Sequence, residues 1–97
     1  MNTRAVDAVT SSSRPSLARH VQLRFDPTRE QHVLLSPETV AVLNRTGADI
    51  LELCDGRRTV AEIVTELRGR YARVADDEVR AFLARMAAKR CVEIGDG

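Results

Sequence analysis

Residues 59–71 leave this chain little conformational choice. Thr59-Val60-Ala61-Glu62 is a capping box, in which the Thr59 hydroxyl accepts from the Glu62 amide and the Glu62 carboxylate reaches back to the Thr59 amide. Val60, Ile63, Val64, Leu67 and Tyr71 follow at helical spacing. A helix that starts so firmly and carries one apolar stripe must find a core to cover that stripe. Phe25, Phe82 and Tyr71 are the only aromatic residues, and Trp is absent. The core is therefore expected to be aliphatic. Ninety-seven residues supply one such core at most, too small for a deep enzyme cleft with its own lid.

Upstream of the capping box the pattern changes period. Val21, Leu23 and Phe25 alternate with His20, Gln22 and Arg24, which marks a half-buried strand. Asp26-Pro27-Thr28-Arg29 breaks it, and Gln31 to Leu35 forms a second strand, closing a hairpin. Ser36-Pro37-Glu38 then reads in two ways. It can cap a helix running from Pro37 to Cys54, or it can turn into a third strand, Thr39 to Leu43, where Val40 and Val42 alternate. On the second reading Asn44 caps a helix whose apolar face is Leu43, Gly47, Ile50, Leu51 and Cys54, stopped by Asp55-Gly56. Another helix begins at Asp76 or Asp77, with Val79, Phe82, Leu83 and Met86 as its stripe and Lys89 and Arg90 at its negative end. Cys91 to Ile94 is a short extended tail. The order describes an α+β domain with a small antiparallel sheet, and the two helices flanking Asp55-Gly56-Arg57-Arg58 also resemble a helix-turn-helix.

The Ser-rich stretch Met1 to Pro15 reads as a disordered leader, and the folded domain is expected to start near Leu17, dividing the chain into residues 1–16 and 17–97. No apolar run is long enough for a signal sequence or a membrane span. Cys54 and Cys91 form no CxxC pair, so the chain reads as cytoplasmic with both thiols reduced and buried. A net charge of +1, from 15 basic and 14 acidic residues, lowers the expectation of a nucleic-acid partner.

Chemistry is hard to assemble from what remains. His20 and His32 have no Ser or Cys placed beside them as a nucleophile. A zinc site would need His20, His32, Cys54 and Cys91 together, without the short ligand spacing of structural zinc. Gly47, Gly56 and Gly69 are isolated, so no phosphate-cradling loop exists. No enzyme, metal or cofactor site follows. Arg57, Arg58, Arg68, Arg70 and Arg73 are basic residues gathered around one helix. They read as its solvated face, with Glu66 and Arg70 forming an ion pair, or as phosphate contacts of a winged-helix DNA binder. The small sheet must also expose an edge, which accepts an added peptide strand or a second copy of the chain. Monomer and homodimer both stay open.

The succession Val33-Leu34-Leu35-Ser36-Pro37-Glu38, Leu43-Asn44, Ile50-Leu51-Glu52-Leu53, Asp55-Gly56 and Thr59-Val60-Ala61-Glu62-Ile63, continued by Leu67, Tyr71, Val79, Phe82 and Leu83, resembles the pyrroloquinoline quinone biosynthesis protein D family. The resemblance spans Leu17 to Ile94. It implies a winged-helix-like fold, a three-stranded antiparallel sheet followed by three helices, and so a strand at Thr39 to Leu43. It further implies a peptide chaperone that binds a ribosomal precursor peptide and presents it to a radical S-adenosylmethionine enzyme. Related domains recognise leader peptides in other peptide-natural-product pathways. The peptide is expected to pair with Thr39, Val40, Ala41, Val42 and Leu43, against an apolar wall of Val79, Phe82, Leu83 and Met86. Each wall residue reads equally as core, Phe82 and Met86 being the ones placed to serve both, and Arg80 and Arg85 read as a solvated face before they read as flanks of the groove.

Overall fold

A computed structural model describes residues 9–95. The elements run β1 (Arg14–Leu17), β2 (Gln22–Asp26), β3 (Gln31–Leu35), β4 (Val40–Leu43), α1 (Arg45–Glu52), α2 (Val60–Arg68), α3 (Asp76–Ala88) and β5 (Val92–Gly95). Strands β2, β3 and β4 form an antiparallel sheet in that order, and β1 pairs antiparallel with β5 in a separate two-stranded ribbon. The fold is α+β and winged-helix-like, with α1 packed on the three-stranded sheet and α2 and α3 completing the core.

Local chemistry explains where the helices start. The Asn44 side chain accepts from the Gly47 amide at 2.7 Å and caps α1. Both bonds of the expected capping box open α2: Thr59 donates its amide to Glu62 Oε1 at 2.8 Å, and Thr59 Oγ1 accepts from the Glu62 amide at 3.2 Å. Helix α3 has no side-chain cap, but Asp76, Asp77 and Glu78 occupy its first turn, where the helix dipole favours them. Between α1 and α2, Gly56 takes φ +79°, a conformation that costs a side chain, and the Arg58 and Arg57 amides bind the Asp55 carboxylate and hold its pKa below the ordinary value. The expected Glu66–Arg70 pair is not what Arg70 makes: it lies past the end of α2 and reaches Asp49 at 3.6 Å.

The core is aliphatic. Leu51, Ile63, Leu67, Leu83 and Val60 are its largest fully buried side chains, and Leu34 and Leu43 supply the sheet's contribution. Two expectations need correction. The folded part begins before Leu17: Arg14–Leu17 is a strand, Pro15 is fully buried, and Val9 sits in the core. The ordering comes from the far end of the chain, since β1 pairs with β5 from Arg14↔Gly95 to Leu17↔Val92. The part of the expected leader in residues 1–8 lies outside the described residues. Phe25 has the expected parity but not the expected burial. It stands 55% exposed near the hairpin tip, with its ring edge-on to His32 at 5.2 Å.

Among the described residues, no helix is long and apolar enough to cross a membrane.

Candidate functional site

Strand β4 is the edge of the sheet that lies beside α3. Its register with β3 pairs Leu35↔Val40, Leu34↔Ala41, Val33↔Val42 and His32↔Leu43. The Ser36 amide donates to the Thr39 carbonyl at 2.9 Å, which makes Ser36 and Thr39 a hydrogen-bonded pair. Antiparallel ladders alternate, so Leu34/Ala41 and His32/Leu43 are also bonded pairs, and Val40 and Val42 turn their N–H and C=O groups away from β3. These four groups form an open, unpaired edge. The other edge, β2, carries Arg24 and Asp26, charges of the kind that discourage strand addition. Strand β4 carries none.

A cavity of ≈ 700 Å³ opens between this edge and the end of α3, lined by Leu34, Thr39, Val40, Ala41, Met86 and Arg90 among others. A second, of ≈ 460 Å³, lies between the start of α1 and α3, where Asn44, Gly47, Phe82 and Arg85 meet. Strand β4 leads from the first cavity toward the second, and α3 runs back the other way. The two cavities therefore lie at opposite ends of the gap between β4 and α3, referred to below as the groove. Gly47 shapes its far end: a Cβ there would come within 3.3 Å of the Phe82 ring and 3.1 Å of Asn44 Oδ1. The Arg85 guanidinium stands 5.9 Å from the Phe82 ring centroid, within cation–π range. Lys89 and Arg90 border the near end.

The expected site residues divide. Val40, Ala41 and Val42 are exposed on the edge, while Leu43 ends the strand with its side chain in the core. Thr39 precedes the strand, in the turn that its carbonyl closes with Ser36. On α3, Val79 is 3% exposed and Leu83 is wholly buried, so both are packing residues first. Phe82 is half-buried, and Met86, although 9% exposed and part of the core cluster, also borders the first cavity. Sequence reasoning did not single out Lys89, Arg90 or Leu34 for the groove. They reach it because the helix end and the central strand converge there, which no local pattern reveals.

The site offers an apolar contour, open main-chain groups and positive charge. Cys54 lies elsewhere in the core, its thiol pushed up to about 12 by burial and by the neighbouring Asp55. It donates to the Ile50 carbonyl at 3.2 Å and stays protonated at neutral pH. Much of the basic cluster closes loops rather than forming a phosphate-binding face. Arg58 pairs with Asp55 at 3.0 Å, Arg68 donates to the Val74 carbonyl at 3.2 Å, and Arg70 faces Asp49.

Comparison with known proteins gives the same answer from sequence and from fold. Residues 31–92 match the family model for coenzyme PQQ synthesis protein D (PqqD). A "PqqA binding protein" of Pseudomonas aeruginosa is 42% identical over 82 residues, covering 82% of this chain and 89% of that protein. One from Rhodopseudomonas palustris strain BisB5 is 46% identical over 63 residues, covering 65% of this chain. This chain spans 62% of the length of that relative. Among solved structures, the PqqD truncation of Methylobacterium extorquens PqqCD is described as a functional and stand-alone RiPP recognition element. It superposes with a TM-score of 0.73 at 38% identity, covering 91% of this chain and 97% of that one. The heterocyclase TruD shares the fold at 21% identity and a TM-score of 0.62, over 84% of this chain and 11% of its own. With the family model matched from β3 into β5 and the fold shared throughout, the chain belongs to the PqqD family.

Proposed function

We propose that this chain is a non-catalytic adaptor that binds a PqqA-type precursor peptide as a fourth strand on β4 and presents it to a radical S-adenosylmethionine enzyme in pyrroloquinoline quinone biosynthesis. The observation that carries this reading is the pairing of an uncharged open edge, at Val40 and Val42, with an apolar wall at Phe82 and Met86 across the groove. Main-chain bonds along the edge supply affinity that is indifferent to sequence, and the groove reads alternate side chains. Relatives named for PqqA binding support the choice of peptide. The enzyme partner is what membership of this family implies.

The test is a titration of the isotope-labelled chain with the PqqA peptide of Pseudomonas aeruginosa, followed by amide shifts. Stoichiometric binding that moves Val40 to Leu43 together with α3 is the expected result. Saturating peptide that moves neither region rules out this mode. Capture of the radical enzyme by the chain, strengthened by peptide, tests the second half of the reading.

A further inference from the structure

Side chains alternate across a strand, so Leu34, Ala41 and Leu43 on the core side leave Val33, Leu35, Val40 and Val42 on the outer face of the sheet. That face is turned away from the helices, and an antiparallel sheet normally presents polar residues there. Here the register puts Val33 opposite Val42 and Leu35 opposite Val40, an aliphatic patch on the β4 side of the face that gives way to Arg24 and Gln22 on β2. Val40 is 64% exposed and Val42 is 46% exposed. Val33 is buried although it stands outside the main core cluster, as a residue covered by neighbours on the outer face must. Strand formation does not require this, because Thr has comparable β propensity and suits water better.

The patch is continuous with the open edge. Val40 and Val42 are the same residues whose main-chain groups point outward, so a strand added there must lie directly against their side chains. Its residues opposite Ala41 and Leu43 face the groove, toward Phe82 and Met86. Its residues opposite Val40 and Val42 face outward, beside the two valines, as same-face cross-strand neighbours do. We propose that the outer-face valines are specificity-determining residues, and that the bound peptide segment is therefore apolar at successive positions rather than at alternate ones. This rests on strand addition at β4 and goes beyond it, since the groove alone asks for apolar residues only at every second position.

Val40→Thr/Val42→Thr keeps the branched shape and the backbone while removing the outer apolar surface. The PqqA peptide of Pseudomonas aeruginosa, with affinity read by calorimetry, is the probe. The double variant is expected to melt like the parent, to bind about tenfold more weakly, and still to show β4 amide shifts at saturation. Should the double variant melt lower, Val40→Thr alone, at the more exposed position, carries the test. A matching pair of peptides has serine at alternate positions of the segment protected in the complex, in two complementary sets, and both sets are expected to weaken binding. Affinity within about twofold of the parent, with Met86→Ala still impaired, overturns the inference and leaves strand addition standing. Weakening by one serine set alone overturns it as well. If the parent chain binds no peptide, or binds without moving β4, strand addition itself fails and the inference falls with it.

Discussion

The Tyr71 hydroxyl donates to the Asp49 carboxylate over 2.5 Å, tying the segment after α2 to the middle of α1 across 22 positions of sequence. The hydrogen bond to Asp49, then burial, then the nearby negative charge raise the Tyr71 phenol above its ordinary value. The neutral phenol is the form that the fold favours. Its contribution to stability is complete below the unfolded value of about 10 and is lost as pH rises through the folded one. Tyr71 is the only tyrosine and there is no tryptophan, so phenolate absorbance in the near ultraviolet reports this group alone. The expected titration midpoint lies above the tyrosine norm, and Asp49→Asn brings it down. A normal midpoint in the parent chain counts against the bond.

Proline substitutions distinguish the two directions in which β4 amides point. Ala41 donates into the ladder with Leu34, so Ala41→Pro removes a sheet bond and destabilises the fold. The Val42 amide points to the open edge, a position where proline is tolerated, and its neighbour Ala41 is already extended, as the residue before a proline prefers. Val42→Pro is expected to melt close to the parent and to lose PqqA-peptide affinity by at least about tenfold, the loss of a main-chain bond plus steric blockage. Equal thermal damage from both substitutions contradicts the alternation assigned to the ladder.

Leu83 and Met86 share a helix but not a role. Leu83→Ala is expected to cost about 2–5 kcal/mol in denaturant unfolding, as deletion of a fully buried side chain does. Met86→Ala should fall at or below the low end of that range, because one side of its site is already a cavity. Its larger effect should be on peptide affinity, measured at a temperature where both variants stay folded. Leu83→Ala weakening the folded protein's affinity more than Met86→Ala reverses the assignment.

Thr59→Ala removes the cap of α2 and is expected to cost about 1 kcal/mol, with peptide affinity unchanged. Urea midpoints read the first quantity and calorimetry the second. A change in affinity would mean that α2 communicates with the groove.

What could be read from the sequence follows from how local its cause is. The Thr59 and Asn44 caps and the stripe from Val60 to Leu67 depend on residues within a turn of one another and appear where spacing places them, while Tyr71, expected to extend that stripe, lies past the end of α2 at Arg68. Strand β1 was missed because Arg14-Pro15-Ser16-Leu17 has no period of its own, and its order is imposed by Val92–Gly95, nearly eighty positions away. The parity of Phe25 was legible, but its exposure was not: it stands near the hairpin tip beside Arg45, Asp49 and Glu52 of α1 rather than in the core. In the groove, the pattern on α3 gave the stripe but not its division. Which of Val79, Phe82, Leu83 and Met86 turns to the core depends on how α3 crosses α1 and β4. The direction of the Val40 and Val42 amides required the Ser36–Thr39 turn, and with it the hairpin register.

The β1–β5 ribbon has a consequence for how such a module bears a pull. Arg14 lies opposite Gly95, and Ser11 and Ser13 just before it accept from the Ala61 and Val60 amides at the start of α2, so the ribbon ties the two outer segments of the described chain to each other and to the helical half. A polypeptide attached on either side therefore pulls on the ribbon before it pulls on the β2–β3–β4 sheet. The inner end of the ribbon runs to the groove itself, since Cys91, just before Val92, lines the first cavity, so the ribbon fixes how far an attached polypeptide stands from a captured peptide.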